Sequence, residues 1–335
     1  MKRALIIGVS GQDGALLARL LTNKSYEVHG SSRDAQTSDF ANLVRVGVRE
    51  DVKLHSAAPS DLRSVEQLLN RVAPDEIYLL AGQSSVGLSF EKPVETLESV
   101  TLGTLNVLEA IRLMKLPTRL YHAGSSECFG EHDAALNEST AFRPRSPYAV
   151  AKAAAHFAVA NYREAYGLYA CTGILFNHES PLRAPRFVTR KVVAAACRIA
   201  AGSGERLALG DLGIERDWGW APEYVYAMWQ MLQLPMPDDL VIATGQANSL
   251  RRFVELAFAE LGLEWADFVD YDNSLRRPTD LRRSVGDPRR AAAAMSWHAK
   301  AGLKEVVAAM VAAEMGREWP MVASFETTNS DAGVP

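Results

Sequence analysis

The stretch that decides the fold is ALIIGVSGQDGALLARLL, residues 4–21. Its first part, ALIIGV, is an unbroken apolar run, which is typical of a strand buried on both faces of a parallel sheet. Gly8, Gly11 and Gly14 follow, and the leucines after them recur at helical spacing. In that order, these glycines would permit a tight turn, close approach of a phosphate, and close packing of helix on strand. The stretch predicts a dinucleotide-binding loop, with a plain tight turn as the alternative.

Strands and helices alternate along the first half of the chain. Apolar runs predict strands at 4–9, 26–32, 52–56, 75–82, 119–125, 168–176 and 238–245. Helical spacing lies between them, including a long alanine-rich helix at 148–166. Such alternation implies a parallel sheet with helices on both faces. We expect the α/β class: a Rossmann-like, doubly wound parallel sheet with a smaller, mainly helical substrate-binding lobe.

The predicted domain boundaries follow from where this alternation weakens. Residues 1–177 are assigned to the dinucleotide-binding domain, to which segments at about 211–250 return. Residues 178–210 and 251–326 are assigned to the substrate-binding lobe, and the polar tail at 327–335 is expected to fray.

Composition limits the range of functions. The chain has 335 residues, 48% hydrophobic and 23% charged, which is ordinary for a soluble globular protein. A net charge of −4 gives no bulk attraction to nucleic acid or to an anionic membrane, so an anionic ligand must be held by local arginines. Cys128, Cys171 and Cys197 lack metal-site or disulfide spacing, and no apolar run is long enough to span a membrane. We expect a cytoplasmic protein without a metal site.

The end of the second strand is where a dinucleotide's adenosine ribose would lie. Here the sequence is Ser31-Ser32-Arg33-Asp34. Arg33 could hold a 2′-phosphate, whereas Asp34 could accept hydrogen bonds from free ribose hydroxyls. The two residues point to different cofactors, and a solvated loop is the third interpretation.

Tyr148 and Lys152 are four residues apart at the start of a predicted helix, so their side chains share one face. A lysine cation beside a phenol stabilises the phenolate and lowers its pKa, which makes a base for hydride-transfer chemistry. The preceding strand ends in Gly-Ser125-Ser-Glu127, which places a hydroxyl and a carboxylate at the same sheet edge. The pattern predicts a catalytic group made of these four side chains.

Glu127 decides which chemistry is expected. Hydride transfer alone needs no extra carboxylate, whereas removing a proton beside a new ketone and expelling a neighbouring hydroxide need a base and an acid. A surface glutamate paired with an arginine is the alternative. His178 could be a second catalytic group, but a loop histidine more often supports its neighbours through hydrogen bonds.

These segments together resemble the GDP-mannose 4,6-dehydratase family, within the extended short-chain dehydrogenases/reductases. The matching stretches run from residue 4 to about 288, and include GVSGQDG, DEIYLLAGQSSVGLSF, SSECFG, RPRSPYAVAK, NHESPLR, FVTRK and RDWG. The resemblance implies a bound NADP (with NAD as the alternative) that is oxidised and re-reduced in each turnover. It also implies conversion of GDP-mannose to GDP-4-keto-6-deoxymannose by a homodimer or homotetramer.

The resemblance also assigns residues to roles. Tyr148 would be the base at sugar carbon 4, assisted by Lys152 and by the Ser125 hydroxyl, while Glu127 would act at carbons 5 and 6. The cofactor would contact Gly8, Gly11, Gln12, Asp13, Gly14, Arg33, Leu80, Ala81, Gln83, Tyr148, Lys152, His178 and Arg183. The GDP-sugar would contact Ser84, Asn177, Lys191, Arg216 and Arg277. For Arg216 a structural role is the alternative, and for Arg277 a solvated position.

The chain departs from the family pattern around the nucleotide. Asp34 stands where the family has a second arginine, and Ala58 lies in the segment that meets adenine. Glu215 replaces the lysine before RDWG, and Arg282 lies in a stretch that is acidic in the family. The cofactor and the preferred sugar are therefore open at this point.

Three hypotheses follow. The first is the dehydratase, acting on GDP-mannose or on another GDP-hexose or GDP-heptose. The second is a nucleotide-sugar reductase or epimerase that uses only Ser125, Tyr148 and Lys152. The third is a catalytically silent nucleotide-binding regulator on the same fold.

Overall fold

The computed structural model describes residues 1–275 and 279–321. Its strands are, in chain order, β1 (Arg3–Ile7), β2 (Glu27–Ser32), β3 (Val52–Ser56), β4 (Glu76–Leu79), β5 (Arg119–Ala123), β6 (Ala170–Leu175), β7 (Asn177–Glu179), β8 (Leu207–Leu209), β9 (Glu215–Arg216), β10 (Trp218–Trp220), β11 (Leu240–Ile242), β12 (Asn248–Ser249), β13 (Val269–Tyr271) and β14 (Arg283–Ser284).

Its α-helices are α1 (Gln12–Asn23), α2 (Ala41–Arg45), α3 (Leu62–Val72), α4 (Val86–Glu91), α5 (Pro93–Leu97), α6 (Gly103–Met114), α7 (Pro147–Tyr166), α8 (Val188–Ala200), α9 (Ala221–Met231), α10 (Leu250–Ala259), α11 (Arg289–Met295) and α12 (Leu303–Glu314). A π-helical turn (Glu98–Leu102) joins α5 to α6, and short 3₁₀ turns occupy Ser126–Phe129, Trp265–Asp267 and Asn273–Leu275.

The central sheet has seven strands in the order β11-β6-β5-β4-β1-β2-β3. All neighbouring pairs are parallel. The chain winds one way from β1 to β3 and the other way from β4 to β11, so the switch point lies between β1 and β4. This confirms the expected Rossmann-like, doubly wound sheet, in which ligands bind beyond the carboxyl ends of the strands near that point.

Strand β1 is apolar throughout because it is covered on both faces. Ala4 and Ile6 pack into a core with α1 and α9, whereas Leu5 and Ile7 pack into a second core with α3 and α6. Successive side chains of a strand point to opposite faces, so one continuous apolar run supplies both cores.

A third core lies beyond the sheet. It joins α8, α10 and α12 with β8 and the tryptophans of β10. Three small sheets accompany it: β10 with β7, β9 between β12 and β14, and β8 with β13. These short strands were not predicted, because two or three residues carry too little periodicity. The lobe boundaries proposed above stay predictions, and the tail at 327–335 lies outside the described residues.

None of the helices in the described ranges is long and apolar enough to cross a membrane. The three cysteines form no disulfide with one another.

Candidate active site

The glycine loop lies at the carboxyl end of β1, beside the end of β4. Gly8 has a φ of +101°, and a Cβ there would lie 2.8 Å from the backbone nitrogen of Ala81. A Cβ on Gly14 would lie 2.4 Å from the carbonyl oxygen of Gly8. The fold itself therefore requires both glycines, as predicted for the turn and for the helix–strand packing.

Gly11 is different, because nothing in the chain itself requires a glycine there. Its φ is −73°, and a Cβ would meet only the Gly8 carbonyl oxygen, at an ordinary contact distance of 3.5 Å. The residue caps the N-terminus of α1, where the first-turn N–H groups lack helical partners. A missing side chain at this position fits the close approach of a pyrophosphate.

Ser125 and Glu127 are positioned by the 3₁₀ turn that follows β5. The buried Ser125 hydroxyl accepts a hydrogen bond from the Glu127 backbone N–H at 3.3 Å, which fixes the start of the turn. The Cys128 thiol lies 3.7 Å from the Ala149 carbonyl oxygen and so links the turn to α7. The hydroxyl and the carboxylate are thereby held beside the first turn of α7.

Helix α7 begins at Pro147, one residue before the predicted start at residue 148. The Ser146 hydroxyl accepts from the Ala149 N–H at 3.1 Å, and Pro147 occupies the first helical position. Tyr148 and Lys152 are both buried on the face that packs toward β5. The Lys152 ammonium donates to the Ala123 carbonyl oxygen at 2.7 Å, and burial lowers its pKa to about 8.

The expected lowering of the Tyr148 pKa is wrong. Burial raises the pKa of this phenol well above its usual value, and the hydrogen bond with Ser125 offsets only part of that rise. Cys128 and the negative charge of Glu127 raise the pKa further. Lys152 does not offset the rise because its ammonium is directed to the strand carbonyl.

His178 lies on β7 and is held by the protein on both ring nitrogens. Nδ1 lies 2.7 Å from the Phe176 carbonyl oxygen, and Nε2 lies 2.9 Å from the Asp13 carboxylate. The ring stacks on Tyr224 with centroids 4.6 Å apart. Arg183 pairs with Glu179 at 3.3 Å. The supporting role considered for His178 agrees with this arrangement.

The segment after β4 lies beside the glycine loop. The Leu80 N–H donates to the Ile7 carbonyl oxygen at 2.9 Å, which continues the sheet beside the glycine loop. The Gln83 side chain donates to the Ser85 carbonyl oxygen at 2.8 Å and to the Thr96 hydroxyl at 3.2 Å, so it stabilises its own loop. Ser84 is exposed and lies 3.4 Å from the Arg186 guanidinium, a cation that the sequence analysis did not single out.

Arg33 and Asp34, which follow β2, differ in their contacts. The Asp34 carboxylate accepts from the backbone N–H groups of Gln36 at 2.8 Å and Thr37 at 3.2 Å, and these bonds lower its pKa. Asp34 is thus engaged in capping its own turn, whereas Arg33 is exposed at the end of the strand.

The residues predicted to contact the substrate differ in their exposure and in the protein groups that they already bind. Asn177 begins β7, and Lys191 is an exposed residue of α8 that donates to the Ala208 carbonyl oxygen at 2.8 Å. Arg216 is only 4% exposed and donates to the Leu281 carbonyl oxygen at 2.8 Å and to the Asp280 carboxylate at 3.0 Å. This arrangement favours the structural role for Arg216. Arg277 lies outside the described residues.

Two residues that depart from the family pattern, Glu215 and Arg282, each face a partner of opposite charge. Glu215 on β9 is opposite Arg283 on β14, and their charged groups are 3.2 Å apart. The neighbouring Arg282 donates its N–H to Glu131 at 3.0 Å. The reversed charge at 215 therefore has a basic partner nearby. A sequence pattern could not show this, because the two strands are far apart in the chain.

Among residues 1–275 and 279–321, no cluster of three or more histidine, cysteine or acidic side chains could hold a metal ion. Fold and site together define a short-chain dehydrogenase/reductase. A model of the family described as GDP-mannose 4,6 dehydratase matches residues 5–310. The chain belongs to this family.

Three known proteins show how close the likeness is. GDP-mannose 4,6 dehydratase 1 of Arabidopsis thaliana is 42% identical over 99% of this chain and 93% of its own length. The GDP-mannose 4,6-dehydratase of Sinorhizobium fredii is 42% identical over 92% of this chain and 95% of its own. The solved UDP-glucose 4-epimerase of Thermus thermophilus, in complex with NAD, is 27% identical with a TM-score of 0.83, covering 94% and 99% of the two chains.

Proposed function

We propose that this protein is a GDP-mannose 4,6-dehydratase, which converts GDP-mannose to GDP-4-keto-6-deoxymannose and water. The observation that carries the proposal is the position of Glu127. Its turn follows β5 and is linked to α7 beside Tyr148. A carboxylate near the phenol, in a chain of this family, supplies the second acid–base group that dehydration needs and simple hydride transfer does not.

The site fits a nicotinamide dinucleotide. The glycine loop leaves space at Gly11 that the fold itself does not need. The epimerase of similar structure binds NAD, and we extend that cofactor class to this chain. We favour NADP, because Arg33 is exposed whereas Asp34 is engaged by its own turn. The adenine contact made in the family after β3 must differ here, because Ala58 offers only backbone groups.

The Arg33 assignment has a direct test. Replacing Arg33 with Ala should weaken NADP binding about 10- to 100-fold, the usual value of a hydrogen bond between charged groups, and leave NAD binding unchanged. Calorimetry on both cofactors measures this. Asp34→Asn is the matched control and should change neither affinity by more than about threefold. Equal losses for NADP and NAD would reject a 2′-phosphate contact.

The chain's own residues divide the acid–base work. Bound at this edge, the nicotinamide ring supplies the hydride acceptor for sugar carbon 4 and the hydride donor for carbon 6. Ser125 holds the oxygen on carbon 4 and Tyr148 takes its proton. The Lys152 ammonium, held by the Ala123 carbonyl oxygen, contributes positive charge to the same buried site. Glu127 takes the proton from carbon 5 and delivers it to the hydroxyl leaving carbon 6, which departs as water. When the hydride returns to carbon 6, the proton held by Tyr148 goes to carbon 5, so both side chains regain their starting states.

For the diphosphate of the substrate, the exposed Lys191 and Arg186 are the available cations. Arg216 is better placed to hold the segment around Asp280 than to meet the substrate directly. We assign Asn177 and Ser84 to the sugar nucleotide as polar contacts beside these cations.

The deciding experiment incubates the protein with GDP-mannose, first without added cofactor and then with catalytic NADP. The expected product is lighter by one water, with no net change in cofactor absorbance. Glu127→Gln should lose about 10²- to 10⁴-fold in turnover and keep cofactor binding. Glu260→Gln, a change of the same kind at an exposed position, is the control. Full activity of Glu127→Gln would reject the proposal.

The epimerase of similar structure makes a nucleotide-sugar epimerase the second candidate. An epimerase would return a product of unchanged mass, and a reductase would consume reduced cofactor in proportion to product. Unchanged GDP-mannose with intact cofactor binding would point instead to another GDP-hexose or GDP-heptose.

The protein is proposed to be a homodimer or homotetramer. Five exposed apolar residues lie on α5, the π-helical turn and α7, which contact one another, and we propose that they form one apolar surface: Val94, Leu97, Leu102, Val150 and Phe157. Large exposed apolar patches often mark protein–protein contacts. A second copy of the chain would cover this surface, and light scattering that gave 36.6 kDa, the mass of one chain, would reject the proposal.

A further inference from the structure

Three hydrogen bonds connect the first turn of α1 to strand β7 and the residue after it. The Asp13 carboxylate lies 2.9 Å from Nε2 of His178. The Ser180 hydroxyl donates to the Gln12 side-chain carbonyl at 2.8 Å, and the Gln12 amide donates to the His178 carbonyl oxygen at 3.2 Å. The cofactor loop and the start of the NHES segment are thereby held in one arrangement.

The contacts of His178 determine its charge. Nδ1 faces the Phe176 carbonyl oxygen, which can only accept, and Nε2 faces a carboxylate, which also accepts when ionised. Both nitrogens therefore carry protons, and the ring is an imidazolium stacked on Tyr224.

The pKa shifts of the pair agree with this. Burial alone would lower the pKa of His178, but the charge and hydrogen bond of Asp13 outweigh it and raise it. Burial would raise the pKa of Asp13, yet the attraction and hydrogen bond of His178, with help from Gln12 and Arg183, lower it to about 2. Both shifts favour the charged form of the pair.

A charged Asp13 would repel a pyrophosphate bound at this end of α1. It lies in the first turn of α1, where the free N–H groups and the helix dipole would otherwise attract the anion. A carboxylate here stabilises the helix, but it repels a second anion at the same end. Repulsion between like charges is strong in a partly dehydrated site.

We infer that His178 is a positioning residue which neutralises Asp13, so that the first turn of α1 stays receptive to the cofactor's pyrophosphate while remaining tied to β7. This inference rests on the nicotinamide dinucleotide proposed above. It gives His178 an indirect role in cofactor binding, because neither of its ring nitrogens is left for a direct contact.

The test compares variants by calorimetric binding of NADP to the full chain without sugar nucleotide. His178→Gln keeps a hydrogen-bond donor near Asp13 but removes the positive charge, and should weaken binding about 10-fold. Adding Asp13→Asn removes the unbalanced negative charge, and the double variant should return to within about threefold of the original. Ser180→Ala is the matched control, since it breaks an uncharged bond between the same two segments; its effect should stay below about threefold.

A different set of affinities would overturn the inference. If the double variant binds as weakly as His178→Gln, or more weakly, the histidine acts only through packing. If His178→Gln binds like the original chain, its charge has no role. Failure of the original chain to bind either NADP or NAD would remove the proposed function together with this inference, so the two failures are distinguishable.

A second measurement leaves His178 in place, so it does not require a His178 variant that folds. The ¹⁵N shifts of histidine-labelled protein at pH 7.5 should show one ring with both nitrogens protonated, and Asp13→Asn should change that ring alone. A neutral His178 ring in the original chain would overturn the inference.

Discussion

Lys152 is only 7% exposed, and its ammonium lies 2.7 Å from the carbonyl oxygen of Ala123. Burial disfavours its charge and lowers its pKa to about 8, so the group is mostly protonated at neutral pH at a cost to stability. A residue needed for catalysis therefore works against the fold that surrounds it.

Lys152→Met should separate these two effects. Turnover should fall about 10²- to 10⁴-fold, whereas the free energy of unfolding at pH 7 should not decrease, since a buried charge has been removed. The folded pKa of about 8 is below the usual 10.5, so the folded chain releases its proton first as pH rises. The original chain should thus gain stability relative to the variant between these two values. Denaturant midpoints at pH 7 and pH 9.5 measure this, and a constant difference would contradict it.

At the scale of elements, the loop between β1 and α1 contains glycines of two kinds. Gly8 and Gly14 are required by neighbouring backbone atoms, whereas Gly11 is not. The sequence alone does not distinguish these three glycines. Only the contacts around them separate the two that the fold needs from the one that a ligand would need.

Gly14→Ala and Gly11→Ala should therefore affect different properties, the first thermal stability and the second NADP binding. On Gly14 the added Cβ would lie 2.4 Å from a carbonyl oxygen, so we expect a marked loss of thermal stability. On Gly11 the nearest atom is 3.5 Å away, so we expect an unchanged melting temperature but at least about 10-fold weaker NADP binding. Thermal unfolding without cofactor and calorimetry make the comparison. If Gly11→Ala bound NADP normally, the pyrophosphate would have to lie elsewhere.

At the scale of the whole molecule, the surface formed by α5, the π-helical turn and α7 lies on the helices that carry and flank the catalytic residues. Phe157 is 60% exposed on the same helix as Tyr148 and Lys152. Covering this surface with a second copy would support α7 from outside, which links assembly to the geometry of the site.

Phe157→Glu should disrupt that assembly. A carboxylate in an apolar contact is costly when desolvated, so the mass in solution should shift toward the 36.6 kDa of one chain. Met236→Glu, at an exposed apolar residue on the loop after α9, is the control and should leave the mass unchanged. Light scattering at several concentrations measures both. An unaltered mass for Phe157→Glu would show that other residues make the contact.

The sequence by itself determined the parts of this protein that depend on neighbours along the chain. The buried strand, the glycine loop, the long helix α7 and the spacing of Tyr148 and Lys152 all follow from local patterns. The seven-stranded sheet follows from repeating those patterns, because parallel strands joined by helices have few ways to pack.

Tertiary structure alone decided what each charged group faces. Asp13 meets His178 across 165 positions of the chain, Arg216 is enclosed by residues around 280, and Lys152 is directed to Ala123 rather than to Tyr148. The rise in the Tyr148 pKa, where a fall was expected, has the same origin. Ionisation depends on burial and on partners brought together by the fold, and the spacing of residues along a chain contains neither.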